Sequence, residues 1–175
     1  IDKIKLLTAI STLESVVGRL QSFLSTNKVT VIVDYAHTPD AIENVISTIN
    51  KIKSPSQNLI IVIGCGGERD KDKRSIMGKI CSDLSSRVIF TSDNPRSEDP
   101  KSIIEDMIDG VSKFNTDKIT VEIERSKAIK EAKENSAEGD IVLIAGKGHE
   151  DYQELKNNKR IQFDDFKIAK QIFNK

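Results

Sequence analysis

Four short polar segments carry most of the residues in this sequence that could bind a small charged molecule. The segments are Asp34–Asp40 (DYAHTPD), Gly64–Lys71 (GCGGERDK), Ser92–Arg96 (SDNPR) and Gly146–Tyr152 (GKGHEDY). A planar guanidinium group, such as that of Arg69 or Arg96, can bind a carboxylate through two parallel hydrogen bonds. Glu150 could receive an ammonium group, and glycines let backbone N–H groups approach a ligand closely. These residue types therefore suit a zwitterionic ligand.

The same residues exclude several other kinds of chemistry. No nucleophile, base and acid are arranged as a catalytic triad, and neither a Gly-x-Gly-x-x-Gly nor a Gly-x-x-x-x-Gly-Lys-Ser/Thr motif occurs. Two scattered histidines give no transition-metal pattern, and the separation of Cys65 from Cys81 fits neither a Cys-x-x-Cys pair nor a zinc site. The residues alone predict a binding site for a small charged molecule and go no further.

Each polar segment also has an ordinary structural explanation. The first could be a strand-to-helix turn with Pro39 at the first helical position, and the second a tight glycine turn. Asp93–Arg96 could be an Asx turn that ends in a surface arginine, and Gly146–Glu150 a flexible loop. However, each segment directly follows a predicted strand, and ligands of open α/β sheets bind outside the carboxyl ends of the strands. Their shared position favours a common site.

Runs rich in β-branched residues alternate with amphipathic stretches along the chain. Strands are predicted at 29–33, 59–63, 88–91, 119–123, 141–145 and near 160–163, and helices at 39–53, 73–84, 100–111, 126–137 and 164–173. Ser126 is a candidate N-cap of the fourth helix. This alternation predicts an α/β fold, with a mostly parallel sheet covered by helices on both faces. The hairpin near the end of the chain could add an antiparallel edge.

Composition narrows the class of protein further. The 175 residues fit one domain, and 27 basic residues balance 27 acidic ones, which argues against a nucleic-acid-binding surface. No stretch is apolar enough for membrane insertion, and two unpaired cysteines are typical of a cytoplasmic protein. Residues 1–28 are predicted to be a linker or docking helix from a preceding domain, and residues 29–175 the ligand-binding domain. A first residue other than Met suggests a piece of a longer protein.

Five motifs, in order, resemble those of the C-terminal domain of Mur ligases, which build the peptide of bacterial peptidoglycan. The motifs are Val33–Asp40 (VDYAHTPD), Gly64–Arg74 (GCGGERDKDKR, followed by Met77-Gly78), Asp93–Arg96 (DNPR), Ala145–Gln153 (AGKGHEDYQ) and Phe163–Asp165 (FDD). The resemblance implies a Rossmann-like domain with about six strands. The DNPR motif is similar to that of the family members that add meso-diaminopimelate.

The resemblance also implies roles for individual residues. Residues implied to contact meso-diaminopimelate are Arg69, Asp93, Asn94, Pro95, Arg96, Gly146 and Glu150. Residues implied to face the nucleotide are Arg19, Asp34, Tyr35, His37 and Asp40, with Lys147 and His149 in supporting positions. Arg96 would hold a carboxylate that lysine lacks. With lysine bound, Arg96 would have no carboxylate partner. Because an unpaired buried charge is costly, lysine should be rejected.

The family reaction uses ATP and Mg²⁺ to activate the carboxylate of a UDP-N-acetylmuramoyl-dipeptide as an acyl phosphate, which the amine of the amino acid then attacks. Both cofactors would be bound mainly by the central domain, and no metal ligand is expected in this sequence. The fragment is therefore expected to be inactive without its N-terminal and central domains. The alternatives are a ligase that adds L-lysine, a related folylpolyglutamate synthase, and a non-catalytic binding module.

Overall fold

The computed structural model describes residues 17–175, so most of the linker or docking helix predicted over residues 1–28 lies outside the described residues. Its main element is a six-stranded sheet. The strands are β1 (Gln21–Leu24), β2 (Thr30–Asp34), β3 (Leu59–Ile63), β4 (Arg87–Phe90), β5 (Ile119–Val121) and β6 (Ile141–Ala145). Their order in the sheet is β1-β2-β6-β3-β4-β5, and all are parallel except β1, which pairs antiparallel with β2. The prediction of a mostly parallel sheet is confirmed.

The two central strands, β3 and β6, consist entirely of buried apolar residues. Their sequences, LIIVI and IVLIA, lack the alternation of a half-exposed strand because helices cover both faces of the sheet. Strand pairing aligns Ala145 with both Asp34 and Ile63. The segments that follow β2, β3 and β6 therefore leave the sheet at the same level, at its carboxyl edge.

Five α-helices of the described residues cover the sheet. They are α1 (Pro39–Ile52), α2 (Asp72–Leu84), α3 (Pro100–Ile108), α4 (Arg125–Glu134) and α5 (Asp165–Phe173). The first three pack on one face of the sheet, and α4 and α5 pack on the other. Thr38 and Asp99 cap α1 and α3, each just before a proline at the helix start. Within residues 17–175, no helix is long and apolar enough to cross a membrane.

The structure differs from the sequence-based expectations at both ends of the described chain. The terminal hairpin, β7 (Tyr152–Leu155) and β8 (Lys159–Gln162), forms a separate two-stranded sheet, so its prediction as an edge of the main sheet was wrong. The antiparallel edge is β1 instead. It lies before the predicted domain boundary at residue 28, and that boundary stays a prediction.

The start of α4 also differs from the prediction. Ser126 lies inside the helix, and Glu124 stands at the N-cap without a side-chain capping bond. The helix begins one residue before Ser126, at Arg125, whose buried side chain pairs with Asp165 of α5. Ser126 donates its hydroxyl proton to Glu124 rather than capping the helix.

Candidate functional site

A cavity of about 390 Å³ opens at the carboxyl edge of the sheet. The residues that line it are Tyr35, His37, Thr38, Gly66, Arg69, Asp70, Lys73, Asp93, Asn94, Arg96, Gly146 and Glu150. They come from the segments that follow β2, β3, β4 and β6, as the sheet order requires. Six of the seven residues predicted to contact an amino acid line the cavity, whereas Pro95 is buried beside it and lines a second depression.

Arg96 forms a cationic wall of the cavity. It adopts a left-handed backbone conformation (φ 52°), and its Nη1 donates to the carbonyl of Gly67 at 2.7 Å. Its Nε donates to Glu154 Oε2 at 3.0 Å. Gly66 lies between the two arginines of the cavity, since a Cβ atom there would be 3.1 Å from Arg96 Nη1 and 3.5 Å from Arg69 Cγ. Glycine at this position therefore leaves room for both side chains.

Asp93 forms the anionic wall. Its side chain is 10% exposed, and its carboxylate accepts no hydrogen bond from another described residue. Burial raises the pKa of Asp93, while the cations Arg125 and Lys147 counteract the shift. A Cβ atom on Gly146, which has φ 113°, would lie 2.7 Å from Asp93 Oδ2. The glycine therefore keeps the space in front of this carboxylate open.

Lys147 links the remaining polar residues of the site. Its side chain is fully buried, and Nζ lies 3.0 Å from Asn94 Oδ1 and 3.1 Å from Glu150 Oε2. Asn94 in turn donates its amide to Glu150 at 2.8 Å. Lys147 does not line the cavity, so it supports Asn94 and Glu150 from behind. A buried ammonium group between these acceptors keeps both in fixed positions.

A second buried cation lies beneath the cavity. Arg125 binds both carboxylate oxygens of Asp165, each at 2.8 Å, and both side chains are fully buried. Its Nη2 also donates to the carbonyl of Ala145 at 2.9 Å. The pair thus joins α4 and α5 to the end of β6, just before Gly146.

Arg74 fixes the glycine-rich segment that follows β3. Its fully buried side chain binds both oxygens of Glu98 at 3.0 Å and Asp106 at 2.8 Å. Glu98 also accepts a hydrogen bond from the backbone of Glu68. The hydrogen bonds from Arg74 are the main reason that the pKa of Glu98 is lowered to about 2. This network connects two of the segments that form the cavity.

The residues predicted to face a nucleotide lie in two groups. Tyr35 lies at the centre of the first, with its ring 4.6 Å from that of His37, 5.0 Å from that of His149 and 5.6 Å from the guanidinium carbon of Arg19. These side chains form an aromatic and cationic surface beside the cavity.

In the second group, the carboxylate of Asp34 accepts hydrogen bonds from the backbone N–H groups of Leu20 and Ala36, both at 2.8 Å. Asp40 lies exposed in the first turn of α1.

Several residues at the site were not among the predicted ones. Lys73 lines the cavity and donates to the carbonyl of His37 at 2.9 Å, and Glu154 binds Arg96 from the terminal hairpin. Lys73 lies within the second motif, Gly64–Arg74, whereas nothing in the local sequence marks Glu154 as a site residue. Cys65 is buried nearby, and burial raises the pKa of its thiol to about 12, which leaves it without nucleophilic character.

A comparison with protein families gives the class of this domain. Residues 18–148 match the family described as "Mur ligase, glutamate ligase domain". The chain belongs to the Mur ligase family. The match covers β1 to β6, the first three segments around the cavity and the start of the fourth, so the Mur ligase fold accounts for the sheet that positions the site.

Several Mur ligases contain a segment whose sequence is substantially identical to that of this chain. The chain is 45% identical over 173 residues to the UDP-N-acetylmuramoyl-L-alanyl-D-glutamate–2,6-diaminopimelate ligase of Cytophaga hutchinsonii, covering 99% of this chain and 35% of that protein. It is 50% identical over 158 residues to the ligase of the same name from Aquifex aeolicus, covering 90% of this chain and 32% of that protein. The chain thus spans about a third of the length of these relatives.

Solved structures agree with this assignment. A structure of a UDP-N-acetylmuramoyl-L-alanyl-D-glutamate–2,6-diaminopimelate ligase superposes with a TM-score of 0.82 at 40% identity, over 99% of this chain and 34% of that one. The folylpolyglutamate synthase of Thermotoga maritima superposes with a TM-score of 0.59 at 21% identity, over 83% of this chain and 31% of that one. The second likeness concerns the fold alone.

Proposed function

We propose that this chain is the amino-acid-recruiting C-terminal domain of a ligase that adds meso-diaminopimelate to UDP-N-acetylmuramoyl-L-alanyl-D-glutamate. The observation that carries the proposal is the cavity itself. It gathers Asp93, Asn94 and Arg96 of the DNPR motif with Arg69 and Glu150. Relatives at 45–50% identity carry the name of this ligase.

The charges of the cavity complement those of the proposed substrate, which has two ammonium and two carboxylate groups. Arg69 and Arg96 offer guanidinium groups to the carboxylates. Asp93 offers a carboxylate with no internal hydrogen-bond donor among the described residues, and Glu150 offers a second one. The cavity therefore presents both cationic and anionic side chains, as recognition of a zwitterion requires.

The structure changes the physical reason for rejecting lysine. From the sequence, Arg96 was predicted to be unpaired without the distal carboxylate of the substrate. Instead, Arg96 already has Glu154 as a partner. We therefore propose that discrimination comes from the additional bonds that the distal carboxylate gains at Arg96, and not from a penalty for an isolated charge.

The proposed reaction takes place in the cytoplasm and requires the rest of the ligase. ATP with Mg²⁺ would supply the phosphoryl group that activates the carboxylate of the dipeptide. Within residues 17–175, no group of three or more His, Cys, Asp or Glu side chains could hold a metal ion. The surface formed by Arg19, Tyr35, His37 and His149 offers a cation and aromatic rings to a nucleotide. This domain would then bind and orient the amino acid.

Turnover by the full-length protein, with meso-diaminopimelate and L-lysine compared, tests the proposal. We expect ATP-dependent addition of meso-diaminopimelate, and a loss of about 10–100-fold in kcat/KM in Arg96→Ala. Hydrogen bonds to charged groups contribute about 1.5–3 kcal/mol, and each 1.4 kcal/mol corresponds to a factor of ten. Arg87→Ala, at the amino end of β4, is the matched control and should leave kcat/KM unchanged.

Three results would contradict the proposal in different ways. Equal use of lysine, or full activity of Arg96→Ala, would remove the specificity for meso-diaminopimelate. Addition of glutamate to a folate would indicate a folylpolyglutamate synthase. Absence of a Gly-x-x-Gly-Lys-Thr/Ser-type phosphate loop from the full-length sequence, together with no ATP turnover, would indicate a non-catalytic binding module.

A further inference from the structure

Glu154 contacts the DNPR segment without lining the cavity. Its backbone carbonyl accepts from Arg96 N at 3.1 Å, and its backbone N–H donates to Asn94 Oδ1 at 2.9 Å. Its side chain accepts from Arg96 Nε at 3.0 Å, and both side chains are largely buried, at 19% exposure for Arg96 and 15% for Glu154. The cavity lining includes Arg96 and not Glu154. Any effect of this carboxylate on a ligand must therefore pass through Arg96.

Two fixed acceptors hold the guanidinium group of Arg96. Glu154 binds it at Nε, and the carbonyl of Gly67 binds it at Nη1. Because the group is planar, two acceptors at different nitrogens fix its orientation. Nη2 donates to no other described residue, so it and the second proton of Nη1 remain for a carboxylate in the cavity. This arrangement preorganises one end of the guanidinium group for a two-bond contact.

Arg160 adds a second cation on the far side of Glu154. Its Nη2 lies 3.7 Å from Glu154 Oε1, and its guanidinium carbon lies 4.3 Å from the ring centroid of Tyr152. The carboxylate therefore lies between two guanidinium groups, one facing the cavity and one on the exposed hairpin. This second contact stabilises the position of the carboxylate against which Arg96 is aligned.

We propose that Glu154 is a positioning residue that sets the specificity of the site, because it aligns Arg96 for the distal carboxylate of the incoming amino acid. The inference rests on the proposed function. It predicts an effect limited to amino acids that carry the second carboxylate, since only those use the free end of Arg96. A purely structural role would instead alter the parameters for every substrate.

The test uses the full-length ligase and three variants, Glu154→Ala, Glu154→Gln and Glu138→Ala. Glu138 is the matched control because it is an exposed glutamate (68%) whose only salt bridge among the described residues is to Lys28, at the opposite end of β6. In Glu154→Ala we expect the KM for meso-diaminopimelate to rise about three- to tenfold, less than the loss in Arg96→Ala, because Arg96 keeps its charge and its hydrogen bond to Gly67. The kcat and the KM values for ATP and the dipeptide should stay within twofold.

Glu154→Gln separates alignment from charge. The amide oxygen of the introduced glutamine can still accept a hydrogen bond from Arg96 Nε. The KM of this variant for meso-diaminopimelate should therefore lie between those of the wild type and Glu154→Ala. The KM for L-lysine should not change in any variant. An unchanged or lower KM for meso-diaminopimelate in Glu154→Ala would overturn the inference, as would equal shifts for lysine. A wild-type ligase that does not add meso-diaminopimelate would overturn the proposed function as well, and so the two failures can be told apart.

Discussion

The buried pair of Arg125 and Asp165 allows a quantitative prediction of stability. Asp165→Asn keeps the shape of the side chain but removes its charge, and Arg125 would remain fully buried without its salt-bridge partner. Breaking a buried ion pair from one side typically costs about 3–5 kcal/mol, a large part of the roughly 5–15 kcal/mol that stabilises a typical domain. We therefore expect Asp165→Asn to lower the free energy of unfolding by about 3–5 kcal/mol.

Equilibrium urea unfolding of the 175-residue chain, followed by far-UV circular dichroism, measures this change. With an m-value of about 2 kcal/mol/M, the midpoint should fall by about 1.5–2.5 M. The matched control is Glu138→Gln, which removes a charge from an exposed pair with side chains that are 67% and 68% accessible. Exposed pairs contribute about 0–1 kcal/mol, so the control should hardly move the midpoint.

A double variant distinguishes the cost of an isolated charge from loss of packing. Replacing both partners by apolar residues, as in Arg125→Met with Asp165→Leu, should restore most of the stability, because neither charge is then left alone. The reasoning would be refuted if Asp165→Asn lost less than about 1 kcal/mol. It would also be refuted if the double variant were less stable than Asp165→Asn.

Two further predictions concern the stability of the domain in acid and the role of Gly146 in the cavity. The folded-state pKa of Glu98, about 2, lies below its ordinary value of 4.5, so its contribution to stability is present above pH 4.5 and is lost as the pH falls toward 2. Glu98→Gln should flatten the stability profile between these values in acid titrations at fixed urea, and an unchanged slope would contradict this. Gly146→Ala should raise the KM for the amino acid at least tenfold in turnover assays. The added Cβ atom would lie 2.7 Å from Asp93 Oδ2, and the backbone at this position (φ 113°) is strained for any residue with a side chain. A KM within twofold of the wild-type value would count against this account.

The sequence predicts the sheet and the cavity well because both depend on local patterns. The runs LIIVI and IVLIA are buried on both faces, and the polar segments after them follow the strand ends to one edge. Six of the seven residues predicted to contact the amino acid line one cavity. Their direct contact with a ligand stays a prediction.

What the sequence does not predict depends on contacts between distant residues. Glu154 meets Arg96 across 58 positions, and Arg125 meets Asp165 across 40. Similarly, β1 is only four residues long and alternates between half-buried and exposed residues, because it lies at the edge of the sheet. No local pattern distinguishes it from a linker.

The position of β6 has a consequence for how this domain forms during synthesis. β6 lies between β2 and β3, although about eighty residues separate it from β3 in sequence. Until it has left the ribosome, the first two parallel strands lack their common neighbour, and the segments after them cannot come together. Pairings between distant segments form slowly. A nascent chain that stops before residue 141 should therefore expose the apolar edges of β2 and β3, and chaperones that bind such edges should recognise it until β6 has emerged.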